Sequence, residues 1–362
     1  MKFGSSYAVI LGSILMGASV LFVSSNSPNT TKTKSGVEVA ISSLAGQQSE
    51  DVRLFHVRKD GKCGYIDRTG KIVIPLQFEK ECMGFNEGVA GVGVNGKFGF
   101  IDKTGKFVIE PKFDSEGIFY EGFAAIRLNK TPGYVDKSGK VTLYPGYFIV
   151  YPFSEGMAPV EKWEWQNYTE RKEFMGYVDR TLKVVIPLKF KYASPFSDGL
   201  AYVTEFDDTS HYIDRSGAKV NLPPAGKWFL FVDGLATTQK NGKEGYMDKS
   251  GRIVIATRFD EARRFSHGLG AVRIKDKWGY IDRTGRMIIR PQFEEVEEFD
   301  EEGFASVARG EKWGFIDRSG KVVVPFIYDG FVYYWGGLVG FNVDDKWGYV
   351  DLVGNTIWPP SK

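Results

Sequence analysis

The residues that could support chemistry are few and widely spaced. The 362-residue chain has three histidines, His56, His211 and His267, and two cysteines. A nucleophile–base pair needs hydrogen-bond reach and a third, orienting group, and no G-x-S-x-G turn surrounds the adjacent Ser266 and His267. Two cysteines also exclude a cysteine-built zinc site. We therefore expect no catalytic residue, no metal, no cofactor and no enzymatic activity.

One glycine-rich segment matches a nucleotide-binding pattern. Residues Gly91–Gly96 fit G-x-G-x-x-G, and Lys97 brings the segment close to a P-loop, although Phe98 stands where Ser or Thr would bind Mg²⁺. Both motifs require a helix N-terminus after the glycines, because its free N–H groups bind the phosphates. A strand is predicted after these glycines, so we interpret Asn95-Gly96 as a hairpin turn.

A regularly spaced set of aspartates could suggest a metal array. Calcium needs several oxygens within a few ångström, whereas these aspartates occur singly, each before a turn. Asp at the first position of a turn bonds its own following backbone. We therefore predict nine turn-capping residues: Asp67, Asp102, Asp136, Asp179, Asp214, Asp248, Asp282, Asp317 and Asp351.

Charge and composition narrow the function classes. Lys+Arg is 47 and Asp+Glu is 45, so the formal charge is only +2, which argues against a nucleic-acid partner. Aromatic residues are 15% of the chain and there are 43 glycines, as is typical of many short strands joined by tight turns. The acidic run at 294–302 is interpreted as a solvated connector with Val296 and Phe299 facing inward, and a basic partner patch is the alternative.

The N-terminus has the pattern of a targeting segment. Residues 7–23 are apolar and uncharged, Lys2 precedes them, and small polar residues follow. Residues 1–25 are therefore a signal peptide or an uncleaved membrane anchor. Residues 26–50 read as a flexible linker. Either alternative places the rest of the chain outside the cytoplasm: secreted, periplasmic or anchored by residues 7–23.

The remaining chain, 51–362, is one motif repeated nine times. A glycine (once histidine), an aromatic residue, an aliphatic residue and Asp recur every 34–35 residues, except for one interval of 43. That interval contains an insertion, which we place at residues 161–174. The nine motifs begin at Gly64, Gly99, Gly133, Gly176, His211, Gly245, Gly279, Gly314 and Gly348.

Each repeat reads as a β-meander of three strands. In the repeat from Gly268 to Phe299, a two-residue turn separates the first two strands, an Asp-x-x-Gly turn separates the second from the third, and Pro291 ends the third. The connector has room for a short fourth strand. We expect an all-β fold of about nine tandem meanders in an open twisted array, since propeller blades usually have more residues and rarely exceed about eight in number. The alternative is a closed β-propeller.

These motifs resemble a known family. The segments KWGYIDRTG (277–285), KWGFIDRSG (312–320) and KWGYVD (346–351) are similar to the WG-repeat, or KWG-repeat, proteins of bacteria, and the resemblance covers about residues 51–358. It implies a β-repeat scaffold, usually extracytoplasmic, with no known enzymatic activity and no catalytic residues to carry over. The tryptophan position is replaced in six repeats, for example by Cys63 and Glu244; Leu182 replaces a turn glycine and His211 a strand glycine.

Cys63 and Cys82 are 19 positions apart. Outside the cytoplasm they could form a disulfide, and two separate thiols are the alternative, because the pairing depends on how neighbouring repeats pack.

The insertion holds the best candidates for ligand binding: Trp163, Trp165 and Tyr168. Long loops on repeat scaffolds often carry binding, although aromatic residues more often serve packing. The sequence predicts a non-enzymatic extracytoplasmic scaffold for protein–protein interaction. The alternative is a cell-wall or polysaccharide-binding module that uses these exposed aromatics; the partner itself is not identified.

Overall fold

The computed structural model describes residues 53–79, 81–165, 171–227, 229–328, 332–343, 346–352 and 354–361. Within them, the compact unit Leu54–Lys362 consists of β-strands arranged in nine small antiparallel sheets, one for each repeat. The prediction of nine all-β repeats is thus confirmed, and we number the sheets blades 1 to 9. None of the described segments is a helix long and apolar enough to cross a membrane. The predicted targeting segment 1–25 and linker 26–50 lie outside the described residues.

The strands follow each other as meanders, blade by blade. Blades 1 to 3 contain β1 (Phe55–Lys59), β2 (Lys62–Ile66), β3 (Ile72–Phe78); β4 (Val89–Val94), β5 (Lys97–Asp102), β6 (Phe107–Phe113); and β7 (Phe119–Tyr120), β8 (Phe123–Leu128), β9 (Thr131–Asp136), β10 (Val141–Leu143). Blades 4 to 6 contain β11 (Ile149–Val150), β12 (Met157–Trp165), β13 (Arg171–Asp179), β14 (Val184–Phe190); β15 (Tyr192–Ala193), β16 (Leu200–Thr204), β17 (Ser210–Asp214), β18 (Lys219–Val220); and β19 (Leu235–Lys240), β20 (Lys243–Asp248), β21 (Ile253–Phe259). Blades 7 to 9 contain β22 (Glu261–Ser266), β23 (Leu269–Ile274), β24 (Lys277–Asp282), β25 (Met287–Phe293); β26 (Glu295–Val296), β27 (Phe304–Arg309), β28 (Lys312–Asp317), β29 (Val322–Tyr328); and β30 (Val332–Trp335), β31 (Leu338–Val343), β32 (Lys346–Asp351), β33 (Thr356–Ser361).

The blades close into a ring, so the fold is a nine-bladed β-propeller. Phe55 of blade 1 packs edge-on against Trp335 and Tyr349 of blade 9, with ring centroids 5.3 and 5.7 Å apart. The Tyr349 hydroxyl donates a hydrogen bond to the His56 carbonyl at 3.0 Å, and Ser361 Oγ donates to the Arg58 carbonyl. The closed propeller given as the alternative is confirmed, and the open array is not. The physical reason is the connector: in six of the nine sheets it supplies a fourth strand, which completes those blades.

Neighbouring blades are joined through the buried aromatic residue of each repeat. The side chains of Tyr177, Tyr246 and Tyr280 are almost inaccessible to solvent. Their hydroxyls donate to backbone carbonyls 17 residues later, in the connector of the following blade; Tyr280, for example, donates to the Glu297 carbonyl at 2.7 Å. Burying the ring supplies apolar contact area and the hydroxyl still finds an acceptor. The expected inter-repeat core is therefore present.

The two cysteines are joined. Cys63 in β2 and Cys82 in the connector to blade 2 form a disulfide with a Cα–Cα distance of 6.0 Å, and both are buried. This settles the open alternative in favour of the disulfide. It ties blade 1 to blade 2 through a loop of 19 positions.

Removing this disulfide is expected to destabilise the propeller. Changing Cys63→Ser together with Cys82→Ser releases the loop in the unfolded chain, which corresponds to about 3 kcal/mol of unfolding free energy for a loop of this length. Urea unfolding of the oxidised protein and the double variant, both without reductant, measures the difference. Equal midpoints and slopes would contradict a stabilising role.

Degenerate repeats substitute other interactions for the missing tryptophan. Glu244 holds the tryptophan position of blade 6 and is buried. Its carboxylate accepts the backbone N–H groups of Lys227 and Ala262 at 3.1 and 2.6 Å. A buried carboxylate is stable only when hydrogen-bonded, so Glu244 bridges the connectors on either side of blade 6.

Candidate functional site

The insertion predicted from the repeat spacing lengthens one hairpin of blade 4. Strands β12 and β13 have nine residues each and pair along their full length, with Trp163 opposite Glu173 and Trp165 opposite Arg171. The neighbouring strand β11 pairs only with Val160 and Glu161. The outer half of the hairpin therefore extends past the strand beside it.

Trp163 is packed on both sides of its ring. The Phe148 ring stacks on it with centroids 3.2 Å apart and planes 17° apart, and the Arg171 guanidinium lies 3.4 Å from its centroid. Two groups this close cannot share one face, so they cover opposite faces. The indole N–H also donates to the Glu161 carboxylate. Trp163 thus anchors the hairpin, as a cation–π and stacked-ring arrangement does.

Trp165 is the exposed member of the predicted site. It lies on the same side of β12 as Trp163, because side chains alternate along a strand, and 67% of its surface is accessible. Tyr168, the third predicted residue, lies outside the described residues. The structure therefore places one of the three candidates where a ligand could contact it and gives another a packing role.

A second aromatic pair supports the opposite side of the hairpin. Phe174 of β13 contacts Phe206 of blade 5, with ring centroids 5.1 Å apart, and the Lys172 amine lies 3.6 Å above Phe206. The sequence analysis did not single out these residues; the only signal was an aromatic residue in the turn after β16. The hairpin is therefore held by aromatic contacts on both sides.

The one adjacent serine–histidine pair has the wrong hydrogen bonds for nucleophile activation. Ser266 Oγ lies 2.8 Å from the Phe299 carbonyl, and His267 Nδ1 lies 3.0 Å from the same carbonyl and 3.0 Å from Ser266 Oγ. A carbonyl only accepts, so the serine proton is directed to the backbone instead of the imidazole. Burial lowers the pKa of the other two histidines, His56 and His211. In the described part of the chain, no three His, Cys, Asp or Glu residues are grouped so that they could hold a metal ion.

The other two sequence motifs have the predicted structural roles. Asn95 and Gly96 form the turn between β4 and β5 with φ of 48° and 77°, and a strand follows it. The repeat aspartates cap their turns: Asp282 Oδ1 accepts the Thr284 hydroxyl at 2.6 Å and the backbone N–H of Thr284 at 2.9 Å and Arg286 at 3.0 Å.

These caps predict a loss of stability in acid. The Thr284 hydroxyl is the main reason that the pKa of Asp282 falls from 3.8 to about 2. The unfolded chain then binds more protons than the folded chain between these values, so this stabilisation is complete above pH 3.8 and is lost as the pH falls toward about 2. We expect Asp282→Asn and Thr284→Val each to show a smaller drop in unfolding free energy between pH about 5 and about 2.5 than the parent protein. Urea unfolding at the two pH values measures the drop in unfolding free energy. A drop as large in the two variants as in the parent would contradict the role of this cap.

The acidic run is paired within the protein. Val296 and Phe299 are buried, as predicted. Arg264 is also buried, and its Nε lies 2.5 Å from Glu298 Oε1. Arg263 contacts the carboxylates of Glu295 and Glu297, each at 3.5 Å. The connector is therefore only partly solvated, and several of its acids already have basic partners on β22.

The repeats of this chain match a known sequence family. The family described as WG containing repeat matches residues 64–98, 98–131, 133–162, 175–205, 245–278, 278–313 and 313–347, more than half of the chain. No curated protein matches this chain.

Several solved structures show a distant likeness to this chain. AztD from Citrobacter koseri in its apo form is 13% identical, with a TM-score of 0.44, over 86% of this chain and 93% of that one. A structure of the eukaryotic initiation factor is 10% identical, with a TM-score of 0.43, over 75% and 95%. BamB from Moraxella catarrhalis is 11% identical, with a TM-score of 0.38, over 76% and 98%. Similarities this low do not indicate a function.

Proposed function

Because the chain belongs to the WG containing repeat family, we propose that it is a non-enzymatic scaffold that binds a protein partner outside the cytoplasm. The observation that carries this proposal is Trp165, 67% exposed on a hairpin that Trp163 and Phe174 brace from both sides. Tryptophan is enriched among residues that dominate protein interfaces. A hairpin backbone that is already held in place loses little conformational freedom on binding, so more of the contact energy contributes to affinity.

The polysaccharide alternative has less support. A sugar ring stacks on an aromatic ring only where one face is free, and Phe148 and Arg171 cover the two faces of Trp163. This alternative therefore rests on Trp165 alone. Retention of the protein on insoluble cell-wall polysaccharide, abolished by Trp165→Ala, would favour it over a protein partner.

The extracytoplasmic location is supported by the disulfide between Cys63 and Cys82. Disulfides persist in oxidising compartments and are rare in the cytosol. The absence of enzymatic activity is supported by the Ser266–His267 geometry, in which Ser266 donates to the backbone carbonyl of Phe299 instead of to the imidazole. Turnover in a hydrolase screen that a single His or Asp substitution abolished would overturn this part of the proposal.

Site-specific crosslinking tests the protein partner. A photo-crosslinking amino acid replaces Trp165 in the full-length protein in its native cells, and the same amino acid replaces Ile253, which is 43% exposed in blade 6, as the control. We expect one defined crosslinked protein from position 165 and none from position 253. No adduct, or the same adducts from both positions, would contradict the proposal.

A stability measurement accompanies this experiment. We expect Trp165→Ala to leave the unfolding free energy within about 0.5 kcal/mol of the parent, because its side chain is mostly exposed. Trp163→Ala should lower it by about 1–3 kcal/mol, since it removes a stacked and cation-contacted ring. The comparison separates a binding residue from the residue that positions it.

A further inference from the structure

Adjacent blades are joined at one rim by a repeated clamp. The turns that precede β4, β8, β12, β16, β19 and β27 each have an acidic residue just before their glycine, and this residue adopts a positive φ near 50° in all of them except at Glu302. Its carboxylate accepts a backbone N–H from the same glycine turn of the next blade. We call this contact the rim clamp; it joins Glu87 to Gly122, Glu121 to Gly156, Glu155 to Gly199, Asp198 to Gly234, Asp233 to Gly268 and Glu302 to Gly336, with N–O distances of 2.6–3.1 Å.

A basic side chain completes most of these clamps. It follows the capping aspartate of the next blade and reaches back to the acidic residue. Arg215 contacts the Glu155 carboxylate at 3.2 Å and Lys137 contacts the Glu87 carboxylate at 3.1 Å. In three other joints the basic group donates to the backbone carbonyl of the acidic residue: Arg180 to Glu121, Lys249 to Asp198 and Arg283 to Asp233. The cation at this position therefore has a defined preference for an acidic turn.

The clamp is incomplete from blade 7 round to blade 1. His267 occupies the acidic position of blade 7, with a φ of 51° like the acids, and Gly336 occupies it in blade 9. Their expected cations are Arg318 and Arg68. Both side chains are exposed, and neither forms a hydrogen bond or ion pair with another described residue. Glu302 lies at the joint between these two, and we call Arg318, Glu302 and Arg68 the open rim sector.

A surface cavity of about 620 Å³ opens beside Arg318. Its lining includes Glu301, Glu302, Phe304 and Asp317. The carboxylates of Glu302 and Asp317 already accept hydrogen bonds: Glu302 from the Gly336 N–H, and Asp317 from the hydroxyl and N–H of Ser319. A capping aspartate also lies next to Arg215, where a carboxylate binds nevertheless. The acidic lining therefore does not prevent a further carboxylate from pairing with Arg318.

We infer that the open rim sector binds an acidic segment of a partner protein, with carboxylates paired to Arg318 and Arg68. In two intact joints the basic group pairs with the acidic side chain, and in three it contacts the backbone carbonyl of the acidic residue; the open rim sector lacks the acidic side chain at two places. Arginine pairs with carboxylates through two parallel hydrogen bonds, which gives both affinity and orientation. This inference deepens the proposed function and rests on it, because it states the chemistry of the partner.

Binding of a fluorescently labelled hexaglutamate peptide tests the inference by anisotropy with the full chain at low salt. We expect saturable binding that Arg318→Gln weakens about tenfold, the loss typical of one charge-assisted hydrogen-bonded contact. Arg215→Gln is the matched control, because its partner Glu155 already occupies the position. It should leave the peptide affinity unchanged.

His267→Glu restores the missing acid and provides a second test. The backbone at 267 already has the conformation of the intact joints, so the new carboxylate should pair with Arg318 and weaken peptide binding as Arg318→Gln does, while the melting temperature does not fall. The inference is overturned if the parent shows no saturable binding, if Arg215→Gln weakens it equally, or if a folded His267→Glu binds normally. Crosslinking at position 165 is a separate measurement. A defined adduct there would still support the proposed function if peptide binding contradicted this inference.

Discussion

Replacing Arg264 with alanine is expected to lower the free energy of unfolding by about 3–5 kcal/mol. Arg264 is only 6% exposed, and its guanidinium lies 2.5 Å from the Glu298 carboxylate. The substitution leaves Glu298, whose side chain is only 22% exposed, without its nearest cation, and an uncompensated charge that is mostly shielded from solvent is far more costly than a lost surface pair. Urea unfolding followed by tryptophan fluorescence measures the change.

Two further variants define the cause. Arg286→Ala removes an ion pair with Asp282 in which the arginine side chain is 76% exposed, so we expect a change of at most about 1 kcal/mol. Arg264→Met combined with Glu298→Leu removes both charges of the pair and should recover most of the loss. A double variant as unstable as Arg264→Ala would show that packing around Arg264, and not charge, accounts for the effect.

The pH dependence of Arg264→Ala has a defined sign. Burial raises the pKa of Glu298, and loss of the arginine raises it further. The folded variant then binds more protons than the unfolded chain above the ordinary value of 4.5, so its stability falls as the pH rises through the folded pKa. The loss of unfolding free energy that Arg264→Ala causes relative to the parent should therefore become smaller as the pH is lowered toward 4.5.

Replacing Gly279 with alanine is expected to cost about 3 kcal/mol or more, at the upper end of overpacking effects. A Cβ at this position would lie 2.4 Å from the Ile289 carbonyl oxygen and 2.7 Å from the Pro291 nitrogen. Both are backbone atoms, so the strands β24 and β25 must separate. The cause is a bulge: Trp278 pairs with Phe293 and Tyr280 with Ile289, which crowds extra residues of β25 against the glycine.

Gly84 provides the matched control. It has no positive φ, and nothing lies within 4 Å of a Cβ built there. Alanine at this position should be neutral or stabilise the protein by about 0.4–1 kcal/mol, because it restricts only the unfolded chain. Thermal unfolding of Gly279→Ala, Gly84→Ala and the parent measures the difference. Equal shifts of the melting temperature in the two variants would contradict the role of the bulge.

Blade 5 lacks this bulge, and there His211 stands where the other repeats have glycine. Strand β18 contains only Lys219 and Val220, which pair with Ile213 and Tyr212. It ends before it reaches the position opposite His211. The repeat sequence showed that His211 departs from the pattern, and the shortened last strand is the structural change that accompanies it.

The sequence by itself determined the local structure of each repeat and the family. The spacing of the Gly-aromatic-aliphatic-Asp motifs predicted nine meanders, and the structure has nine sheets. Turn residues such as Asn95-Gly96 and Asp282 were predicted correctly, because turn geometry depends on a few neighbouring residues. The exposed Trp165 lay in the one segment that broke the repeat period.

Only the tertiary structure decided the features that join distant residues. Ring closure brings Phe55 against Tyr349, the disulfide joins two blades, and the covering of Trp163 depends on Phe148 in the connector before β11. Only the structure shows that Arg318 lacks the acidic residue that the equivalent basic residues contact in the other joints. Repeat spacing specifies which strands pair within a blade, whereas contacts between blades depend on the angle at which successive sheets pack, and nine such angles must sum to a full turn before the last blade meets the first.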